Sequence, residues 1–142
     1  MKKAIILLSG LFLGANAYAQ HMISVKVDDL KSRTGRIVVN LCKDSEDFLN
    51  KSFRQEIITI PASGDVVALF QNVPSGTYAI RIFQDENSSG KLEYNLIGIP
   101  KEGVGFSKNP AMQFGPPSFA DASFVLDKSR NETIKVRKFS IL

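Results

Sequence analysis

The chain has 142 residues, a formal net charge of +4, one histidine, one cysteine and no tryptophan. That length suits one domain with a real core. So small a charge, with no dense Lys/Arg cluster among aromatics, gives no footprint for nucleic acid, and a lone cysteine rules out an intramolecular disulfide.

At the N-terminus, Lys2 and Lys3 precede an apolar run over residues 4–15 that is too short to span a bilayer. Ala17-Tyr18-Ala19 then supplies the small-x-small pattern that signal peptidase cuts. We read residues 1–19 as a signal peptide rather than a retained anchor helix, and residues 20–142 as a single β-sandwich domain. Cleavage leaves 123 residues and removes two of the four net positive charges. The protein is then periplasmic or secreted, with no membrane span in the mature chain.

Period-two alternation follows. The expected inward sets are Ile23, Val25 and Val27; Ile37, Val39 and Leu41; Ile58 and Ile60; and Val66, Ala68 and Phe70. Tyr78, Ile80 and Ile82 continue the pattern, then Ala122, Phe124 and Leu126, and finally Ile134 and Val136. Cys42 ends an apolar run, where a buried structural thiol is the simpler reading and a reactive one the alternative. Residues 44–53 open with capping and acidic side chains and predict a helical turn or two. Pro74-Ser75-Gly76 before Tyr78 has the form of a tyrosine corner, with a ligand-stacking ring as the alternative. Together these predict an all-β fold: a single antiparallel Greek-key β-sandwich of about seven strands, Ig-like, with a short helix and one long ordered loop.

That loop covers residues 85–120. It is too apolar for disorder, and Leu92, Tyr94, Leu96, Ile97, Ile99, Val104, Phe106, Met112, Phe114 and Phe119 are expected to pack on the sandwich, with Gly105 among its turn residues. It opens with Asp85, Asn87 and Ser89 at alternate positions, then Gly90 as a turn, the carbonyl of Lys91, and Glu93. These match the first nine places of a calcium loop, in which a hard cation gathers oxygen ligands. The twelfth place, a bidentate glutamate in an EF-hand, is Leu96, and no helices flank the loop. Completing about six ligands would need Glu86, Asn95, Glu102, Asp121 or water. A polar hairpin turn, with Asp85 and Asn87 bonded to backbone amides, explains the same residues.

Pro-Ser-Gly-Thr-Tyr-Ala-Ile at 74–80, Asp-Glu-Asn at 85–87, Gly-Lys-Leu-Glu at 90–93, Gly-Ile-Pro-Lys-Glu-Gly at 98–103, Gly-Phe-Ser at 105–107 and Pro-Pro-Ser-Phe at 116–119 form one extended block. This block resembles the bacterial secreted proteins of the domain of unknown function 2141 family. The resemblance implies an exported, transthyretin-like or prealbumin-like sandwich with no established activity. The acidic loop is also similar to B-type repeats of Gram-positive surface adhesins, in which such loops bind calcium. Ser89 stands where the family pattern commonly has asparagine and Glu93 where it has aspartate, which weakens the ligand set.

Catalysis has little to draw on. His21, the only histidine, lies at the mature N-terminus, where chains tend to fray. The expected function is a non-catalytic binding or structural module with a calcium-stabilised loop, its metal ligands Asp85, Asn87, Ser89, Lys91 and Glu93. The alternative is a periplasmic hydrolase using loop carboxylates such as Glu86 with Glu102. Phe106, Phe114 and Phe119 either line a groove for a protein, peptide or glycan ligand or form the loop's own small core.

Overall fold

The computed structural model describes residues 18–46, 48–112 and 114–139, so most of the expected signal peptide lies outside the described residues. Eight strands appear among them: β1 (Gln20–Asp28), β2 (Arg36–Cys42), β3 (Arg54–Thr59), β4 (Val66–Pro74), β5 (Gly76–Asp85), β6 (Val104–Phe106), β7 (Phe124–Leu126) and β8 (Arg130–Lys135). A four-residue helix, α1 (Phe119–Ala122), precedes β7. No helix of the described residues is long and apolar enough to cross a membrane.

Strands β4-β1-β8 form one sheet and β3-β2-β5-β6 the other, with β7 also paired to β5. Their inner faces close on one core, where Ile23, Val25 and Phe70 meet Ile37, Leu41 and Ile80. The chain is therefore the all-β sandwich that its alternation predicts. Every expected inward set contributes to this core, although Ile58 is only partly buried and Ala122 packs elsewhere.

Pairing is antiparallel except between β1 and β8, which run parallel from Ile23↔Arg130 to Asp28↔Lys135. The expected antiparallel pairing holds for every other strand pair among the described residues and is reversed at this one. The two strands come from opposite ends of the domain, and no hairpin imposes the antiparallel sense on them.

Between β4 and β5 the chain changes sheet through Ser75 alone. Tyr78 secures that corner: its ring is buried and its hydroxyl donates to the Pro74 carbonyl at 2.8 Å. His21 does not fray, because it lies in β1 opposite Val73 with Nε2 2.7 Å from Ser75 Oγ.

The expected helical turn over residues 44–53 is not formed by the described residues there, which run through turns; the short helix lies at α1. The segment must instead bury Phe48 against Phe106 and Phe119. Cys42 is buried, and its thiol lies 3.5 Å from the Lys51 carbonyl.

A second core forms on the outer face of the larger sheet, where Val38, Cys42, Ala79, Phe83, Val104 and Phe106 are buried. Strand β2 is consequently buried on both faces along nearly its whole length. The cover is the segment between β5 and α1, an excursion that runs back across the sheet and contributes β6 itself.

This excursion also completes the far edge of β5. Strand β7 pairs with Gly76 to Tyr78, and β6 pairs with Arg81 to Phe83. In the gap, the Ile80 amide donates to Ser107 Oγ at 2.9 Å, and the Ser107 amide donates to the Ile80 carbonyl at 2.9 Å. Beyond β6, the Gln84 amide donates to the Gly103 carbonyl at 2.9 Å. Gly105, expected as a turn residue, is part of β6. A Cβ there would lie 2.6 Å from the Lys135 carbonyl oxygen, so only glycine lets β6 approach β8 this closely.

Ser107 Oγ also donates to the Ala122 carbonyl at 2.6 Å, so it satisfies two buried backbone groups at once. Ser107→Ala leaves both without this partner and should cost about 2–3 kcal/mol in urea unfolding. A loss below about 0.5 kcal/mol, typical of surface substitutions, would show that the excursion does not close this edge.

Candidate functional site

Asp85 ends β5 with its carboxylate fully buried. Oδ2 accepts from Arg36 Nε at 3.0 Å and from the Gly90 amide at 2.9 Å; Oδ1 accepts from the Ser89 amide at 2.9 Å. Arg36 is the register partner of Asp85 across β2 and β5, so the sheet itself presents the guanidinium. Gly35 permits the approach: its φ is +77°, and a Cβ would stand 2.1 Å from the Asp85 carbonyl oxygen. Burial alone would raise the Asp85 pKa. The Gly90 amide, the Arg36 guanidinium and the Ser89 amide outweigh it and hold the carboxyl below the usual carboxylate range.

The other expected calcium ligands sit in the same turn. Asn87 Oδ1 accepts from the Ser89 amide at 3.2 Å, and its Nδ2 donates to Glu93 Oε1 at 3.0 Å. Ser89 Oγ donates to the Lys91 carbonyl at 3.0 Å. All five residues are thus close together, but these oxygens face protein donors, and the positive charge against Asp85 belongs to Arg36. As arranged, a calcium ion entering this set would first have to displace the guanidinium from Asp85. Among the described residues no three His, Cys, Asp or Glu side chains gather to hold a metal.

Past this turn, residues 93–101 double back, with the Asn95 amide donating to the Ile99 carbonyl at 2.8 Å and the Lys101 amide to the Glu93 carbonyl at 2.9 Å. Asn95 Oδ1 accepts from the amides of Ile97 and Ile99 and pins the tip. So tight a tip throws Leu96 and Ile97 into solvent, and Tyr94 and Phe114 are exposed as well. The expectation that these four pack inward is overturned; of the loop's other apolar residues, Leu92, Val104, Phe106, Met112 and Phe119 belong to or pack against the outer core. The three phenylalanines separate likewise. Phe106 is buried and Phe119 is partly buried against Phe48, whereas Phe114 is fully exposed.

Between the excursion and the sheet lies a cleft of about 1060 Å³. It is lined by Phe83, Val104 and Phe106 of the sheet, by Leu92, Ile99 and Met112 of the excursion, and by the exposed Tyr94, Ile97 and Phe114. A row of polar side chains crosses one side: Gln55 on β3, Asn40 on β2 and Arg81 on β5 are register partners across three adjacent strands. The alternation pattern passed over this row. Its one signal in the sequence is Asn40, a lone amide inside the apolar run of a strand.

The carboxylates of the hydrolase alternative lie elsewhere. Glu86 is 3.7 Å from Lys138 Nζ, and its amide donates to Glu102 Oε1 at 3.1 Å. Glu102 is buried, and its Oε2 has no partner among the described residues. Burial pushes the Glu102 carboxyl upward; the Glu86 amide opposes this, and the charges of Asp85, Glu93 and Glu86 add to it. Neither glutamate borders the cleft.

Residues 25–135 match the family described as an uncharacterized protein conserved in bacteria (DUF2141). No curated protein and no solved structure matches the chain.

Two predictions follow from the loop's electrostatics. Removing Asp85 strands Arg36, so Asp85→Ala should cost about 3 kcal/mol in thermal or urea unfolding, equally in calcium and in chelator. A loss seen only in calcium would identify the ion, not Arg36, as the partner. The folded Glu102 carboxyl holds its proton more tightly than the unfolded one. Its contribution to stability is therefore complete below the ordinary carboxylate range near about pH 4 and is lost as pH rises through the elevated folded value. Glu102→Gln should melt higher than the wild type at pH 7 and lose that advantage on acidification; a lower melting point at pH 7 would contradict this.

Proposed function

The chain belongs to this bacterial family, and we propose that it is an exported, non-catalytic module that binds a small, largely apolar ligand in the cleft on the outer face of its larger sheet. Export rests on the cleavable pattern of residues 1–19. The cleft carries the reading: its volume of about 1060 Å³ lies at the upper end of small-molecule sites, and its walls are mainly aliphatic and aromatic. The exposed rings of Tyr94 and Phe114 beside it offer apolar surface to an entering molecule. A non-catalytic role is favoured because the cleft lacks a lining carboxylate, histidine or cysteine among the described residues. Glu86 and Glu102 are engaged with each other and with Lys138 away from it.

Nile red, a neutral dye that brightens in apolar surroundings, should bind saturably and with one-to-one stoichiometry. Ile99→Trp, which pushes an indole into the cleft from its wall, should weaken that binding about tenfold while preserving the melting temperature. Fluorescence that does not saturate, or binding indifferent to Ile99→Trp, would place the apolar surface elsewhere.

A further inference from the structure

We infer that the ligand is an amphipathic carboxylate, its head group seated on the Gln55–Asn40–Arg81 row and its apolar chain lying along the cleft. This rests on the reading of the cleft as a binding site and adds what the site selects. Asn40 and Arg81 face outward, since their neighbours Val38, Cys42, Ala79 and Phe83 all belong to the outer core. The row is built from strand positions, so its spacing is fixed by the sheet.

Its donors are left over. Gln55 Nε2 donates to Asn40 Oδ1 at 2.8 Å, which uses the amide's acceptor and turns Nδ2 away. Asn40 is 1% exposed, and Nδ2 has no partner among the described residues. On the next strand, Arg81 Nη2 donates to the Lys51 carbonyl at 3.2 Å, but its Nε is buried and likewise without a partner. Buried donors of this kind are normally satisfied, and leaving two on adjacent strands opens a demand for one shared acceptor. A carboxylate supplies it, with oxygens that accept from an amide and a guanidinium together.

Charge agrees with hydrogen bonding. Among the described residues, the charged side chains bordering the cleft are Arg81 and Lys91, both cationic. An ammonium head would face two like charges and donors it cannot satisfy. A hydroxyl could accept from the row but would bring no opposite charge. The rest of the wall, from Phe83 and Val104 to Leu92 and Met112, favours hydrocarbon.

Calorimetric titration of the mature protein with dodecanoate and dodecyltrimethylammonium below their micellar concentrations, and with dodecanol below its solubility limit, tests the assignment. Dodecanoate should bind at least about tenfold more tightly than dodecanol, and the ammonium most weakly. In Arg81→Met and in Asn40→Leu the preference for dodecanoate over dodecanol should shrink to about threefold or less. Arg81 is partly exposed, so its variant remains decisive if Asn40→Leu fails to fold. Equal binding of dodecanoate and dodecanol by the wild type would overturn the head-group assignment and leave the apolar cleft standing. A preference that persists in Arg81→Met would take it away from this row. Failure of all three ligands together with failure of Nile red would overturn the cleft itself.

Discussion

Strand β5 lies at the centre of the larger sheet, and the pairing of its second edge governs the rest of the molecule. β2 covers one edge along seven register pairs. The other edge is buried, and buried backbone donors and acceptors must find partners. No single strand provides them. β7, the Ser107 side chain, β6 and the Gly103 carbonyl take successive positions along it. Because three of these four come from the excursion after Asp85, pairing that edge draws the excursion across the outer face.

Both ends of the excursion are fixed by charge or by close backbone contact. At its start, Arg36 and the amides of Ser89 and Gly90 hold the Asp85 carboxylate. At its return, Lys108 donates its amide to the buried Glu132 carboxylate at 2.7 Å, and Asn109 bonds the β8 backbone through both ends of its amide. The chain after β8 then joins β6 through reciprocal bonds between Val104 and Arg137. Between these anchors the middle of the excursion bridges the sheet without filling the space beneath it, which is how a sandwich with one ordinary core acquires a cleft beside a second.

The inter-sheet core was legible because each strand there keeps one face inward, so Ile23, Val25 and Val27 or Tyr78, Ile80 and Ile82 carry the period directly. The second core was much less so. A strand buried on both faces shows no alternation, and in β2 the outward Val38 and Cys42 are as apolar as the inward Val39 and Leu41. β6 has only three residues, one of them glycine, which is too short for a period to register. The turn after Asp85 was legible as a cluster of oxygens, but its cation was not: Arg36 lies 49 residues away, and only the register of β2 on β5 brings it there. For the same reason Gln55, Asn40 and Arg81 are unrelated in the sequence and adjacent in the sheet. Exposure of Leu96 and Ile97 reflects the local geometry of the Asn95 turn, which composition does not report.

Native-state hydrogen exchange of individual amides tests most directly whether the excursion is an integral part of the sheet. The account requires the Ile80 and Gln84 amides, whose partners belong to the excursion, to exchange as slowly as the inter-sheet core amide of Val25. Exchange at those two positions as fast as at the exposed Ile97 tip would mean that the cover opens freely, and neither the second core nor the cleft would persist in solution.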